Sequence, residues 1–144
     1  IEWFHAQGQP VEHTCCLYAT APFVSPEDIR RGFDTLAEAG CDYAFSVTSY
    51  AFPTQRAIRL NAEGRVEMLN TEHFNTRSQD LEEAYHDAGQ FYWGRSDAWL
   101  QGRMIFNPGS IPVVLPRHRV QDIDTPEDWV RAEWLFKAMQ ARTQ

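Results

Sequence analysis

The chain has 144 residues, 43% of them hydrophobic, which is enough for one domain with its own core and too little to presume two. Twenty acidic against 13 basic side chains give a formal charge of −7 without any Lys/Arg block, which argues against a nucleic-acid partner. No apolar run is long enough to span a membrane and no signal peptide is visible. The three cysteines, Cys15, Cys16 and Cys41, form no CxxC pair and read as reduced thiols of a cytoplasmic protein rather than as disulfides or a zinc site.

In chain order, Ile1-Glu-Trp-Phe-His5 reads as the end of an amphipathic helix, which predicts natural chain upstream of it. Thr14–Tyr18 is a short apolar run that predicts a buried strand, with Cys15 and Cys16 on opposite faces. The small-residue loop Ala19–Phe23 follows. A helix start comes next, with Ser25 as cap, Pro26 in the first turn and Asp28 closing the capping box. Ile29, Phe33, Leu36 and Ala37 share one face of that helix, and Gly40 is its expected stop. Tyr43–Val47 predicts the next strand, so that residues 14–47 read as a strand–helix–strand unit in a parallel sheet. A hairpin is expected from Ala57–Leu60 and Val66–Leu69 around Asn61–Gly64. Residues 70–89 are polar and irregular, and Gln90–Trp93 reads as a short aromatic strand whose rings belong to the core. Ser96–Leu100 predicts a short helix, while Val113–Leu115 and Arg119–Ile123 predict two further strands. Thr125-Pro-Glu-Asp128 repeats the earlier helix start, and the last helix runs to about Ala141 with Trp129, Ala132, Phe136 and Met139 on one face.

Three constellations carry chemistry. In an extended chain Asp122 and Asp124 face the same side, so both carboxylates reach one hard cation while Ile123 turns inward. The competing reading makes Asp122 a surface residue and gives Asp124 to the helix cap. Arg77-Ser-Gln-Asp-Leu81 with Tyr85 and His86 brings charge, amide and ring into an irregular region, where Arg77 suits a carboxylate or phosphate and Gln79 a sugar hydroxyl or amide. A solvated loop with internal ion pairs competes with that reading. The Ala19–Phe23 loop would let a ligand approach the backbone closely, or would simply connect strand to helix. No GxSxG, HExxH, Walker A or GxGxxG pattern is present, and the histidines show no metal-ligand spacing.

Taken in order, these motifs resemble the CMP-sugar synthetase (acylneuraminate cytidylyltransferase) family from about residue 13 to 136. Leu17-Tyr-Ala-Thr-Ala-Pro-Phe23 resembles its strand and Pro-containing turn; Ser46-Val47 and Pro53–Arg56 resemble its sugar-side strand and loop. Arg77-Ser-Gln-Asp-Leu81 is similar to its Arg-x-Gln-Asp-Leu motif, and Gln121-Asp-Ile-Asp-Thr-Pro-Glu-Asp-Trp129 to its metal-binding Asp-x-Asp with the helix after it. Tyr85-His-Asp-Ala-Gly-Gln-Phe-Tyr-Trp93 resembles the branch that uses pseudaminic acid, since the neuraminic acid branch more often has Asn-Gly at Ala88-Gly89.

The resemblance implies an α/β, Rossmann-like fold of the nucleotide-diphospho-sugar transferase type with a mostly parallel sheet, truncated at the N-terminus. It implies a single domain over residues 1–144, a homodimer through an element around residues 94–111, and transfer of CMP from CTP to a nonulosonic acid sugar with release of pyrophosphate. Mg²⁺ would be held by Asp122 and Asp124, with Arg77 as the third catalytic residue. Thr20, Ala21, Arg56, Gln79, Asp80, Tyr85 and Gln90 would bind substrate. The family's Gly- and Arg-rich triphosphate loop has no counterpart here, so this stretch alone is expected to bind CTP poorly and to turn over little. Four rivals stay open: a CMP-N-acetylneuraminic acid synthetase, a glycosyltransferase using the same Asp-x-Asp logic, a sugar-binding or dimerisation module without catalysis, and an α/β domain of unrelated function.

Overall fold

A computed structural model describes residues 1–141, which divide into two compact units, one of residues 1–48 with 87–141 and the other of residues 49–86. The first unit carries helix α1 (Glu2–Ala6), strand β1 (His13–Leu17), helix α2 (Pro26–Ala39) and strand β2 (Tyr43–Ser49). After the second unit the chain returns with β5 (Tyr85–Arg95), α3 (Ser96–Leu100), β6 (Ser110–Val114) and α4 (Pro126–Ala141). Strands β3 (Ile58–Leu60) and β4 (Val66–Met68) lie in the second unit as a separate antiparallel hairpin, in the expected place.

The main sheet has the order β1-β5-β2-β6 and is mixed. β1 pairs antiparallel with β5, and β2 pairs parallel with β6. Arg95 N donates to Asp42 O (3.0 Å), so the carboxyl end of β5 meets the amino end of β2. The mostly parallel sheet expected from the sequence is therefore not what these strands form. The strand–helix–strand unit of β1, α2 and β2 exists, but β5 is inserted between its two strands. A strand that returns from a distant part of the chain is invisible to local patterning. The edge position of β6 explains how Pro112, which has no N–H to give, sits inside a strand.

Helix α2 begins as its sequence dictates. The Ser25 hydroxyl accepts from Asp28 N (3.1 Å), Pro26 opens the first turn, and the helix stops at Gly40 in the left-handed conformation (φ 59°). Its Leu36 packs with Ala44, Ala88, Phe91, Val113 and Leu115 in the main core, with Ile29 partly buried against it. Ala37, expected on that face, is exposed. Phe45, Val47 and Tyr92 form a second cluster with Trp99 and Ile105.

Other differences matter for function. β5 covers Tyr85–Arg95 as one strand, rather than only the short stretch at Gln90–Trp93. Arg119–Ile123 is not a strand: Arg117–Arg119 makes a 3₁₀ turn and residues 120–123 have no regular structure. On α4, Ala132 is buried but Trp129 and Phe136 are at least half exposed. Residues 94–111, the expected dimerisation element, comprise the end of β5, α3 with its exposed Leu100, a loop that exposes Met104 and Phe106, and the start of β6.

Candidate functional site

In the first unit, three parts of the chain converge on Asp122. The loop after β1 brings Thr20, whose hydroxyl donates to Asp122 Oδ1 (3.3 Å); the same oxygen accepts from Ile123 N (3.0 Å). β5 brings Gly89, held at φ 61°; a side-chain carbon placed there would lie 3.5 Å from the Asp122 carboxyl and 3.7 Å from the Tyr18 ring. That backbone is available to glycine at little cost, and it folds the strand against the carboxylate. Asp87 secures the kink by accepting from Gly89 N (2.8 Å) and from the Tyr92 hydroxyl. Burial, and then the bond to Asp87, push the Tyr92 phenol well above its ordinary range, so it stays a donor at all working pH. Ala21 lies half-buried in the same loop as Thr20.

Asp124 lies two residues on, exposed, at the foot of α4. The helix cap is made without its carboxylate. Thr125 Oγ1 accepts from Asp128 N (3.3 Å), and Asp128 Oδ2 accepts from Thr125 N (2.9 Å), Thr125 Oγ1 (2.7 Å) and Asp124 N (3.3 Å). The Thr125 hydroxyl bond, against a smaller cost of desolvation, lowers the Asp128 carboxyl below its ordinary value, and the backbone donors and Gln121 add to this. Among the described residues Asp124 joins this cap through its backbone N–H, and its carboxylate makes none of these bonds. Asp122 Oδ2 and both Asp124 oxygens accept no hydrogen bond from the described residues, whereas Asp122 Oδ1 is already oriented. Two exposed carboxylates two residues apart in sequence, with open oxygens, are a donor set whose chemistry fits a hard cation such as Mg²⁺, which takes few protein ligands and completes its shell from phosphate and water. Among the described residues no group of three or more His, Cys, Asp or Glu side chains is arranged for a metal.

Gln90, expected to touch substrate, is only 1% exposed. Its amide donates to Arg119 O (2.6 Å), so it supports the segment leading to Asp122 from within the core. A second support is absent from the sequence reading. Asp28 on α2 is buried and accepts from Ser25 Oγ (2.9 Å), Arg31 (3.0 Å) and Arg119 (2.6 Å). Burial works to raise its pKa, but the bonds from Arg119 and Ser25 and the two guanidinium charges win and hold it below the ordinary carboxylate value. The signal for this triad was one sequence-distant Arg, which no local pattern links to Asp28.

In the second unit, Arg77 pairs side-on with Asp80 (Nε–Oδ2 2.7 Å, Nη2–Oδ1 3.2 Å), both side chains being largely exposed. A cleft of about 370 Å³ is lined by Tyr50, Phe52, Ser78, Gln79, Glu82 and Glu83 among others. Gln79 is thus in a concave wall, while Arg56 is an exposed side chain outside that lining. Tyr85 donates to Glu83 Oε2 (2.7 Å), and this bond raises its phenol pKa. The expected site residues therefore fall into two groups, Thr20, Ala21, Asp122 and Asp124 in the first unit and Arg56, Arg77, Gln79, Asp80 and Tyr85 in the second.

No family model matches the chain. Its curated relatives are cytidylyltransferases, a class of nucleotidyltransferase. It is 43% identical over 137 residues to the pseudaminic acid cytidylyltransferase of Campylobacter jejuni subsp. jejuni serotype O:2, and equally to that of serotype O:23/36. Each match takes in 95% of this chain and 59% of the relative, so the chain spans about three fifths of the length of the proteins it matches. A Helicobacter pylori protein named as both pseudaminic acid cytidylyltransferase and UDP-2,4-diacetamido-2,4,6-trideoxy-beta-L-altropyranose hydrolase is 37% identical over 110 residues, or 76% of this chain and 21% of that one. The resemblance read from the motifs is borne out by these relatives. No helix among the described residues is long and apolar enough to cross a membrane.

Proposed function

We propose that the protein carrying this chain is a cytidylyltransferase that joins CMP from CTP to a nine-carbon 2-keto acid sugar, pseudaminic acid, releasing pyrophosphate. The observation that carries this reading is Asp122, oriented by Thr20 and Ile123 N, two residues before the exposed Asp124, with three of the four carboxylate oxygens open. The relatives named for the same reaction support it; we read the α/β architecture as Rossmann-like, with the Thr20 loop at the carboxyl end of β1.

In the reaction, the sugar's anomeric hydroxyl gives up its proton to solvent and its oxygen forms a bond to the α-phosphorus of CTP, while the bond from the α-phosphorus to the α–β bridging oxygen breaks and pyrophosphate leaves. Asp122 and Asp124 would hold Mg²⁺, which when bound supplies charge neutralisation and orientation of the phosphates. Thr20 keeps one oxygen of Asp122 fixed and leaves the other without a hydrogen bond, so a cation held there would meet a carboxylate already oriented. Arg77, held by Asp80 through Nε and Nη2, keeps further N–H groups for the carboxylate of the sugar. Gln79 offers an amide to its hydroxyl or acetamido groups, and Tyr85 and Arg56 border that recognition. The exposed Leu100, Met104 and Phe106 support a homodimer through residues 94–111, and three free thiols fit a reducing, cytoplasmic setting.

Pyrophosphate release from CTP, Mg²⁺ and pseudaminic acid by the full-length protein tests this. Asp124→Asn should lower kcat/KM on the order of 100-fold or more, the scale of a lost group that stabilises developing charge. Release that is equal with and without Asp124, or only with neuraminic acid, would sink the reading or its choice of sugar.

A further inference from the structure

Asp122 and Asp124 lie on a segment with no strand ladder, so no ladder hydrogen bond holds their backbone in place. The side chain between them and the core is Gln121, only 8% exposed. Its amide nitrogen donates to Asp122 O (2.6 Å) and to Asp128 Oδ1 (3.2 Å). The other oxygen of Asp128 takes Asp124 N (3.3 Å) and both donors of Thr125. One amide and one carboxylate thus connect the main chain at Asp122 to the main chain at Asp124. The clamp uses only backbone groups of the two aspartates and leaves their side chains open.

We propose that Gln121 is a positioning residue that sets the separation of the Asp122 and Asp124 carboxylates for a divalent cation. This rests on the metal reading above. Gln suits the position for a chemical reason. Both of its targets, a carbonyl and a carboxylate, are acceptors, so the position needs a side chain with two donor hydrogens on one nitrogen. Glu cannot supply them, and an aliphatic side chain leaves the Asp122 carbonyl and Asp128 without their shared donor. Partners that orient metal ligands in this way typically change affinity by about 10–100-fold when removed.

The test is a Mn²⁺ titration of the ¹⁵N-labelled protein, followed by paramagnetic broadening of the amides of Thr20, Gly89 and Asp122 to Thr125. In the wild type, broadening should centre on these amides and be lost in Asp124→Asn. Gln121→Leu should need about tenfold more Mn²⁺ for the same broadening, with amide shifts away from residues 119–128 unchanged. Asp128→Asn removes the relay from its surface end, because one amide oxygen cannot replace two acceptor oxygens, and should weaken Mn²⁺ in the same direction. It carries the test alone if Gln121→Leu does not fold. Wild-type-like Mn²⁺ dependence in the folded Gln121 or Asp128 variant, with loss in Asp124→Asn, overturns the role of Gln121 alone. No localised broadening in the wild type, or broadening untouched by Asp124→Asn, overturns the metal reading and the positioning role together.

Discussion

Asp28 illustrates how one carboxylate can serve both a helix and a distant loop. Its side chain belongs to the Ser25 cap of α2, yet the same two oxygens bind Arg119, directly upstream of the candidate site. Removing one member of a buried pair leaves the others unpaired, so Asp28→Asn should destabilise by about 3 kcal/mol. The low end of the usual range applies because Arg31 and Arg119 retain partial solvent access, at 50% and 28% side-chain exposure. The pH dependence follows from the sign of the shift. A carboxyl lowered by folding stabilises above its unfolded pKa, about 3.9, and that contribution is lost as pH falls through the lower folded value. Chemical denaturation from pH 7 down to pH 2 should therefore show a steeper acid-side loss in the wild type than in Asp28→Asn. Equal slopes would mean that Asp28 is not held low.

At the scale of elements, what could be read from sequence was whatever is encoded locally. The Ser25/Asp28 and Thr125/Asp128 caps, the Gly40 stop and the β3–β4 hairpin are set by residues within a few positions of each other, and each lies where its pattern placed it. The Asp-x-Asp motif and the Thr20 loop were legible one by one, but not the bond between Thr20 and Asp122, because it joins residues 102 apart in sequence. The place of β5 between β1 and β2 was hidden for the same reason, and with it the burial of Gln90. Gly32 marks another such contact. It looks like a weak point in α2, and replacing a mid-helix Gly by Ala ordinarily stabilises by about 1 kcal/mol. Here a methyl group would lie 2.6 Å from the Phe91 ring and 2.9 Å from that of Trp93. Phe91 is fully buried, so it cannot yield cheaply, and overpacking costs about 1–3 kcal/mol. Gly32→Ala should lower the thermal midpoint. A rise would mean that the helix and sheet pack less closely than the structure has them.

The whole molecule divides its stabilising interactions unevenly between its two units. Both buried apolar clusters, around Leu36–Phe91 and around Phe45–Tyr92, lie in the first unit. The second unit has strands of only three residues, and on the hairpin Ile58, Leu60 and Val66 are each more than half exposed. A two-stranded hairpin with little buried apolar surface has little to hold it closed. Local opening free energies follow such differences, ranging from near zero up to the global value. Amide hydrogen exchange should therefore be slowest at Ala44–Val47 and Phe91–Tyr92 and clearly faster at Ile58–Leu60 and Val66–Met68. Within the first unit, Gln90 and Asp28 anchor the Asp122 segment to the slow core; within the second, Arg77 and Asp80 sit on a short 3₁₀ turn at the surface. Fast exchange at the amides of Phe91 and Tyr92, equal to that of the hairpin, would contradict this distribution and remove the rigid support on which the Asp122–Asp124 geometry depends.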